Sequence, residues 1–252
     1  MTGIIIQARM GSSRLPQKVF MMIEGKTVLE HVLDRVKAVD GSHKIIVATT
    51  EKKEDDTIVE ICRKCGVLVF RGSENDVLDR FYNAAVFASL NNIVRITADC
   101  PLIDPEIIRK TIKFYKTGGF DYVGNAHPPT FPDGMDVEVF NFNSLRKCWE
   151  EAKREDEREH VTTYILRNPE RFKIGNFAGT QDLYDLRLTL DEREDFDLIS
   201  AVYANLYSKS KLFGLNDIIN LFSEKPELLK INQNINSHPI SRWAKNQNGT
   251  DV

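Results

Sequence analysis

The 252-residue chain is predicted to adopt an α/β fold in which helices wrap both faces of a parallel sheet. Two observations predict it. Short apolar runs alternate with amphipathic stretches through the first two-thirds of the sequence, and glycine, proline or polar caps mark the junctions between them. Gly3 to Ala8 reads as the first strand. Thr27 to Val39 reads as a helix, because Val28, Leu29, Val32, Leu33 and Val36 share one face. Lys44 to Ala48 is a strand, and Asp55 to Cys65 a helix closed by Gly66. A strand over Val67 to Phe70, a helix from about Val77 to Leu90 and a strand over Ile93 to Ile96 follow. Pro105 then opens a helix at a favourable first-turn position, with Asp104 as its cap.

The rhythm breaks after Asp121. The run "NAHPPTFPDG" reads as an irregular loop. A strand in "DVEVFNF", a helix from Ser144 to Ala152 and another from Arg158 to Asn168 come next. "LRLTL" reads as a returning strand and Glu192 to Tyr207 as a helix. The expected division is a main domain over 1–207, with Asn125 to Gly175 as an insertion covering the site, then a helical appendage over 208–252 ending in a polar tail. There are no internal repeats.

A net charge of −3 and a pI near 6.0 exclude a global basic field for nucleic acid. No apolar run reaches the roughly 18 residues that a membrane helix needs, and "MTGIII" runs straight into a strand, so the expected compartment is the cytoplasm. Cys62, Cys65, Cys100 and Cys148 are too scattered for a disulfide framework. Cys62 and Cys65 form a C-x-x-C, but inside a periodic helix and with no second pair to complete a zinc site. The Asn248-Gly249-Thr250 sequon carries no meaning without secretion.

Sheets of this kind bind ligands beyond the carboxyl ends of their strands. The loop after the first strand, "RMGSSRLPQK", places Arg9, Arg14 and Lys18 around Gly11, Ser12 and Ser13. Small residues let backbone N–H groups approach a phosphate while the cations neutralise it. The loop matches neither a Walker A sequence nor a G-x-G-x-x-G turn, and its bland reading is a solvated surface loop. Asp99, directly after a central strand, and Asp191, after "LRLTL", are carboxylates where a magnesium ion could be held with substrate phosphates. Asp191 could equally cap its helix. His160 sits in the charged run "EEAKREDEREH", ordinarily a solvated face, while His31 and His127 read as structural, with His127 also able to reach a sugar, and Trp149 reads as packing or interface.

The segments "IIIQARMGSSRLPQK", "VATT", "VFRGSENDVLDRF", "RITADCPLID", "DGMDVEVF", "EREHVTTYI" and "LRLTLDEREDFDL" stand in the order of one family. Together they resemble the spore-coat-polysaccharide-F-like cytidylyltransferases, relatives of the enzymes that make CMP-activated Kdo and neuraminic acid. The resemblance runs from residue 3 to about 207 and continues more weakly through "PELLKIN". It implies a nucleotide-diphospho-sugar transferase fold with a mixed, mainly parallel sheet. It also implies Mg²⁺-dependent transfer of CMP from CTP to a sugar acid, with release of pyrophosphate. Carried over by residue, Arg9, Ser13, Arg14 and Lys18 match the loop that grips the triphosphate. Ala8, Thr49, Ser73 and Arg80 match positions near the cytosine and ribose. Asp99 and Asp191 match the metal ligands, and Asp133, Asp136, Glu138, His160, Thr162 and Tyr164 match the wall facing the sugar. Arg14, Lys18 and Asp99 are the expected catalytic set, and His160 is a candidate base because imidazole titrates near neutrality. One departure stands out: the family's first loop reads LPGK, and here Gln17 replaces that glycine.

Two other readings compete. A glycosyltransferase of similar fold would place a D-x-D after the central strand, where this chain has Asp99-Cys100-Pro101. A non-catalytic nucleotide-binding subunit would have little use for both Asp99 and Asp191. A homodimer formed through 125–175 is also expected from the resemblance.

Overall fold

The computed structural model describes residues 1–41 and 43–235; the polar tail and the Asn248 sequon lie outside them. The expected α/β architecture is present as a seven-stranded sheet with helices on both faces. In chain order the strands are β1 (Thr2–Gln7), β2 (Met22–Ile23), β3 (Lys26–Thr27), β4 (Lys44–Thr50), β5 (Leu68–Gly72), β6 (Asn92–Thr97), β7 (Tyr122–Gly124), β8 (Glu138–Asn141) and β9 (Ile174–Asn176). The helices are α1 (Val28–Lys37), α2 (Asp56–Lys64), α3 (Val77–Phe87), α4 (Pro105–Gly118), α5 (Phe142–Glu151), α6 (Glu155–Glu159), α7 (Thr163–Arg167), α8 (Arg193–Leu206) and α9 (Leu215–Glu224). The main sheet runs β5-β4-β1-β6-β8-β7-β9, and β2 and β3 form a separate small ribbon. Strands β5, β4, β1 and β6 are parallel, whereas β8 is antiparallel to β6 and to β7.

Alternation along β1 explains the two cores. Ile4 and Ile6 point to one face, which α1, α2, α4, α8 and α9 cover, and Ile5 points to the other, covered by α3, α5 and α7. The helix after Ser208 is α9, whose Ile218, Leu221 and Phe222 join the first of these cores. Predicted caps hold in detail. Thr27 and Glu30 form a capping box on α1, Asp104 accepts from the Glu106 amide, and Gly66 takes a φ of 65° after α2.

The short strands β2, β3, β7 and β9 are not among the elements expected from the sequence, and two elements that are expected take another form. The helix predicted over Arg158–Asn168 is broken between α6 and α7, where Val161 has a φ of 54° and is fully buried. Tertiary contacts win over helix continuity there: Val161 enters the second core, and the Thr162 hydroxyl donates to Glu138 at 2.5 Å. "LRLTL" is extended but forms no ladder, only a single bridge from Arg187 to Asp133. It is stapled instead by Leu188 N–H to Asp133 O at 2.8 Å and by Leu190 N–H to Asp99 O at 2.8 Å. Gly134 makes this approach possible: its φ is 97°, and a Cβ would stand 2.6 Å from the Leu188–Thr189 backbone.

Candidate active site

The carboxyl ends of β1 and β6 open into a cleft of about 380 Å³. Its lining includes Ala8, Arg9, Ser13, Arg14, Lys18, Asp99, Asp133, Asp136, Glu138, His160 and Asp191. The first loop, read from the sequence as a phosphate grip, is held in shape from below by Asp55. This buried carboxylate accepts from the Met10 amide at 2.7 Å and from the Thr50 amide at 3.2 Å, so it ties the loop to the end of β4. The chain then turns through Gln17, which adopts a left-handed φ of 60°, and delivers Lys18 into the cleft.

Lys18 is the centre of the site. Its Nζ donates to Asp99 Oδ2 at 2.7 Å, to Asp191 Oδ1 at 2.8 Å and to the Leu190 carbonyl at 2.9 Å. Arg14 reaches the same Asp191 oxygen at 2.9 Å. Burial alone would lower the Lys18 pKa, but the two carboxylates outweigh it and raise it. Burial would likewise raise Asp99, and there the Lys18 charge prevails and brings the carboxyl down to about 2. Both groups are therefore charged across the neutral range.

The opposite wall is acidic. Asp133 is pushed up to about 6 by burial against the partial relief of Arg187. Asp136 opens onto the cleft but is hemmed in by its walls and by Asp133 and Glu138, which together push it up to about 8. Glu138 stays low although it is enclosed, because Arg95 pairs with it and the Thr162 and Tyr122 hydroxyls donate to it. Thr162 thus acts through Glu138 rather than facing the cleft. Tyr164 does not come to the cleft: its ring packs in the second core, and its hydroxyl meets Glu151 and Arg171.

Thr49, Ser73 and Arg80 are not among the residues that line the cleft: Thr49 is near the end of β4, Ser73 follows β5 and Arg80 is on α3. Arg80 is fully buried and donates through NH1 to the Ser73 carbonyl at 2.6 Å. Its Nε and NH2, and the Thr49 hydroxyl, have no hydrogen-bond partner among the described residues. Burial, and then the Arg9 charge, lower the Arg80 pKa to about 10. Unsatisfied buried donors of this kind are costly unless a ligand completes them.

The residue pattern alone missed Asp55, Arg95, Arg187, Asp195 and Asn232. A signal existed for Arg95, a lone charge inside the otherwise apolar run "NIVRIT". Arg187, Asp191 and Asp195 also repeat at four-residue spacing, which hints at a shared cluster.

A cytidylyltransferase family model matches residues 3–233. The chain belongs to the cytidylyltransferase family. Among its relatives is the spore coat polysaccharide biosynthesis protein SpsF of Bacillus subtilis, 33% identical over 231 residues, which are 88% of this chain and 94% of that protein. A 3-deoxy-manno-octulosonate cytidylyltransferase of Elusimicrobium minutum is 36% identical over 136 residues, covering 53% of this chain and 54% of the relative. The solved structure of a cytidylyltransferase from Leptospira borgpetersenii superposes with a TM-score of 0.87 at 36% identity, over 94% of this chain and 98% of that one. More distant nucleotidyltransferases share the fold, with TM-scores of 0.59 and 0.63. In this cytidylyltransferase the family match thus spans both the cationic loop and the two aspartates that meet at Lys18.

Proposed function

We propose that the chain transfers CMP from CTP to a hydroxyl of a sugar acid and releases pyrophosphate, in the service of cell-surface polysaccharide synthesis. One observation carries the reading: the loop after β1 brings Lys18 and Arg14 onto Asp99 and Asp191, so cations and carboxylates meet where a metal–triphosphate would lie. The relatives named for polysaccharide synthesis and for octulosonate activation support the acceptor class.

The donor set suits Mg²⁺. Oxygens of Asp99 and Asp191 already converge on one cationic nitrogen at 2.7 and 2.8 Å, and a hard cation commonly takes one or two carboxylates and completes its shell with phosphates and water. Held there, Mg²⁺ would neutralise charge on the triphosphate as pyrophosphate departs.

The chain's own residues do the rest. An acceptor hydroxyl attacks the α-phosphorus, its new P–O bond replaces the bond to pyrophosphate, and negative charge builds on the leaving oxygens. Arg9, Arg14 and Lys18 line the cleft to oppose that charge. Ala8 lines the cleft, and the family pattern assigns it, with Thr49, Ser73 and Arg80, to the cytosine and ribose. Asp133, Asp136, Glu138 and His160 line the cleft and would face the acceptor, with His160 the candidate to take the hydroxyl proton. The glycosyltransferase reading loses ground, since Pro101 stands where a D-x-D would place its second carboxylate.

The test is pyrophosphate release with CTP, Mg²⁺ and a panel of sugar acids that includes 3-deoxy-manno-octulosonate. Release that depends on both CTP and acceptor is expected. Release from no acceptor, with turnover of a nucleotide sugar instead, would overturn the proposal.

A further inference from the structure

Arg187, Asp195 and Asn232 have no part in the chemistry above, yet they form a buried charged cluster in direct contact with it. The Arg187 side chain is 6% exposed and Asp195 not at all. The guanidinium grips Asp195 with two hydrogen bonds of 2.9 Å, and its NH2 also reaches Asp191 Oδ2 at 3.3 Å while NH1 reaches Asp133 Oδ2 at 3.1 Å. Asn232, thirty-seven residues beyond Asp195, donates from Nδ2 to Asp195 Oδ1 and to the Arg187 carbonyl, both at 3.1 Å.

The ordinary role of Asp195 is to cap α8, and it does accept from the Asp191 and Glu192 amides at 3.0 and 2.9 Å. Capping needs neither a buried arginine nor a brace from the far end of the chain. An arginine fork stripped of water is costly unless its geometry is held on every side. Here NH1, the arm that Asp195 leaves free, points at Asp133, and NH2, shared with Asp195, also reaches Asp191.

We propose that Arg187 is a positioning residue for Asp191. Fixed by Asp195 and Asn232, it occupies Asp191 Oδ2 and leaves Oδ1 turned toward Lys18, Arg14 and the proposed cation. The segment after α9 thereby becomes part of the site, acting through Asn232. This rests on the metal role given to Asp191 above.

The double variant Arg187→Gln/Asp195→Asn removes both buried charges together, so neither is left unpaired. Asn232→Ala removes the brace without touching a charge. For each, the melting temperature without ligand, the CTP-induced thermal shift across a Mg²⁺ titration, and kcat and KM for pyrophosphate release are measured. The double variant is expected to keep the wild-type CTP shift without Mg²⁺. The Mg²⁺ needed for half the full shift should rise about tenfold or more, the usual scale for loss of an outer-sphere partner. Its kcat should fall by a larger factor than KM for CTP changes. Asn232→Ala should move the Mg²⁺ requirement in the same direction and less. A folded double variant with the wild-type Mg²⁺ requirement overturns the proposal. If the double variant does not fold, an unchanged requirement in Asn232→Ala overturns it. A wild-type chain with no Mg²⁺-dependent CTP shift overturns the functional reading itself, and this inference with it.

Discussion

Lys18 balances two carboxylates that would otherwise face each other across the cleft, and in the proposed reaction the same ammonium would meet the triphosphate. Lys18→Met is expected to lower turnover by about 10²–10³-fold, the scale of losing one charge-stabilising donor. It should also lower the melting temperature without Mg²⁺, with recovery when Mg²⁺ is added. Near-normal turnover would remove Lys18 from the mechanism. Gln17 shows how a residue-level departure is absorbed: the position does require the left-handed conformation, and glutamine adopts it at φ 60°. An L-residue held there costs roughly 1–2 kcal/mol, partly offset by the lower chain entropy of a non-glycine. Gln17→Gly should therefore stabilise the fold by up to about 1 kcal/mol, read as a higher denaturant midpoint; a lower midpoint contradicts this. Asp136 makes a pH prediction. Its carboxyl is raised from 3.8 to about 8 by enclosure and by Asp133 and Glu138. Between those values the folded state binds the extra proton, so raising the pH through that window costs stability. Asp136→Asn should gain in melting temperature over wild type as pH rises toward about 8, and the gain should level off above it. A pH-independent difference would contradict the assignment.

At the scale of elements, the main-sheet strands and the helices of the first 120 residues were legible to within a few residues, because buried parallel strands and amphipathic helices carry strong local periodicity, whereas the two-residue strands of the β2–β3 ribbon are too short to show one. What local pattern could not show was held by distant partners. The α6–α7 break depends on Glu138 receiving Thr162, and the extended "LRLTL" segment depends on Gly134 and Asp99 accepting its approach. The site divides the same way. Arg14, Lys18, Asp99 and Asp191 were visible as charges beside strand ends, whereas Asp55 looked like the start of a helix and is in fact the anchor of the first loop. Asp55→Ala would strand the buried Met10 and Thr50 amides, at a cost of about 1–3 kcal/mol per unsatisfied group. It should also weaken CTP binding as the loop loosens. A urea titration and a CTP titration check both halves, and unchanged CTP affinity would show that the loop holds its shape without that anchor.

For the whole molecule, the switch from parallel to antiparallel pairing at β6–β8 sets a cationic wall carried on the loop after β1 against an acidic wall carried on β8 and the loop before it. In the proposed reaction, nucleotide and acceptor would take opposite sides of this one cleft. The expected homodimer is a proposal at this scale. Among the described residues, 125–175 exposes no large apolar side chain, while Leu68, Val86 and Phe87 do stand exposed along the β5 edge and the end of α3. Light scattering that reports a monomer at micromolar concentration would contradict the dimer. The claim on which everything else depends is that CTP binds with Mg²⁺. It is tested most directly by thermal-shift titration with CTP, UTP, ATP and GTP, each with and without Mg²⁺. At about 100 times its dissociation constant a ligand adds roughly 2.7 kcal/mol, or about 5–10 °C for a domain of this size. The account predicts a shift of that order for CTP with Mg²⁺ and much smaller ones for the other nucleotides. An equal shift for another nucleotide, or none for CTP, would contradict it.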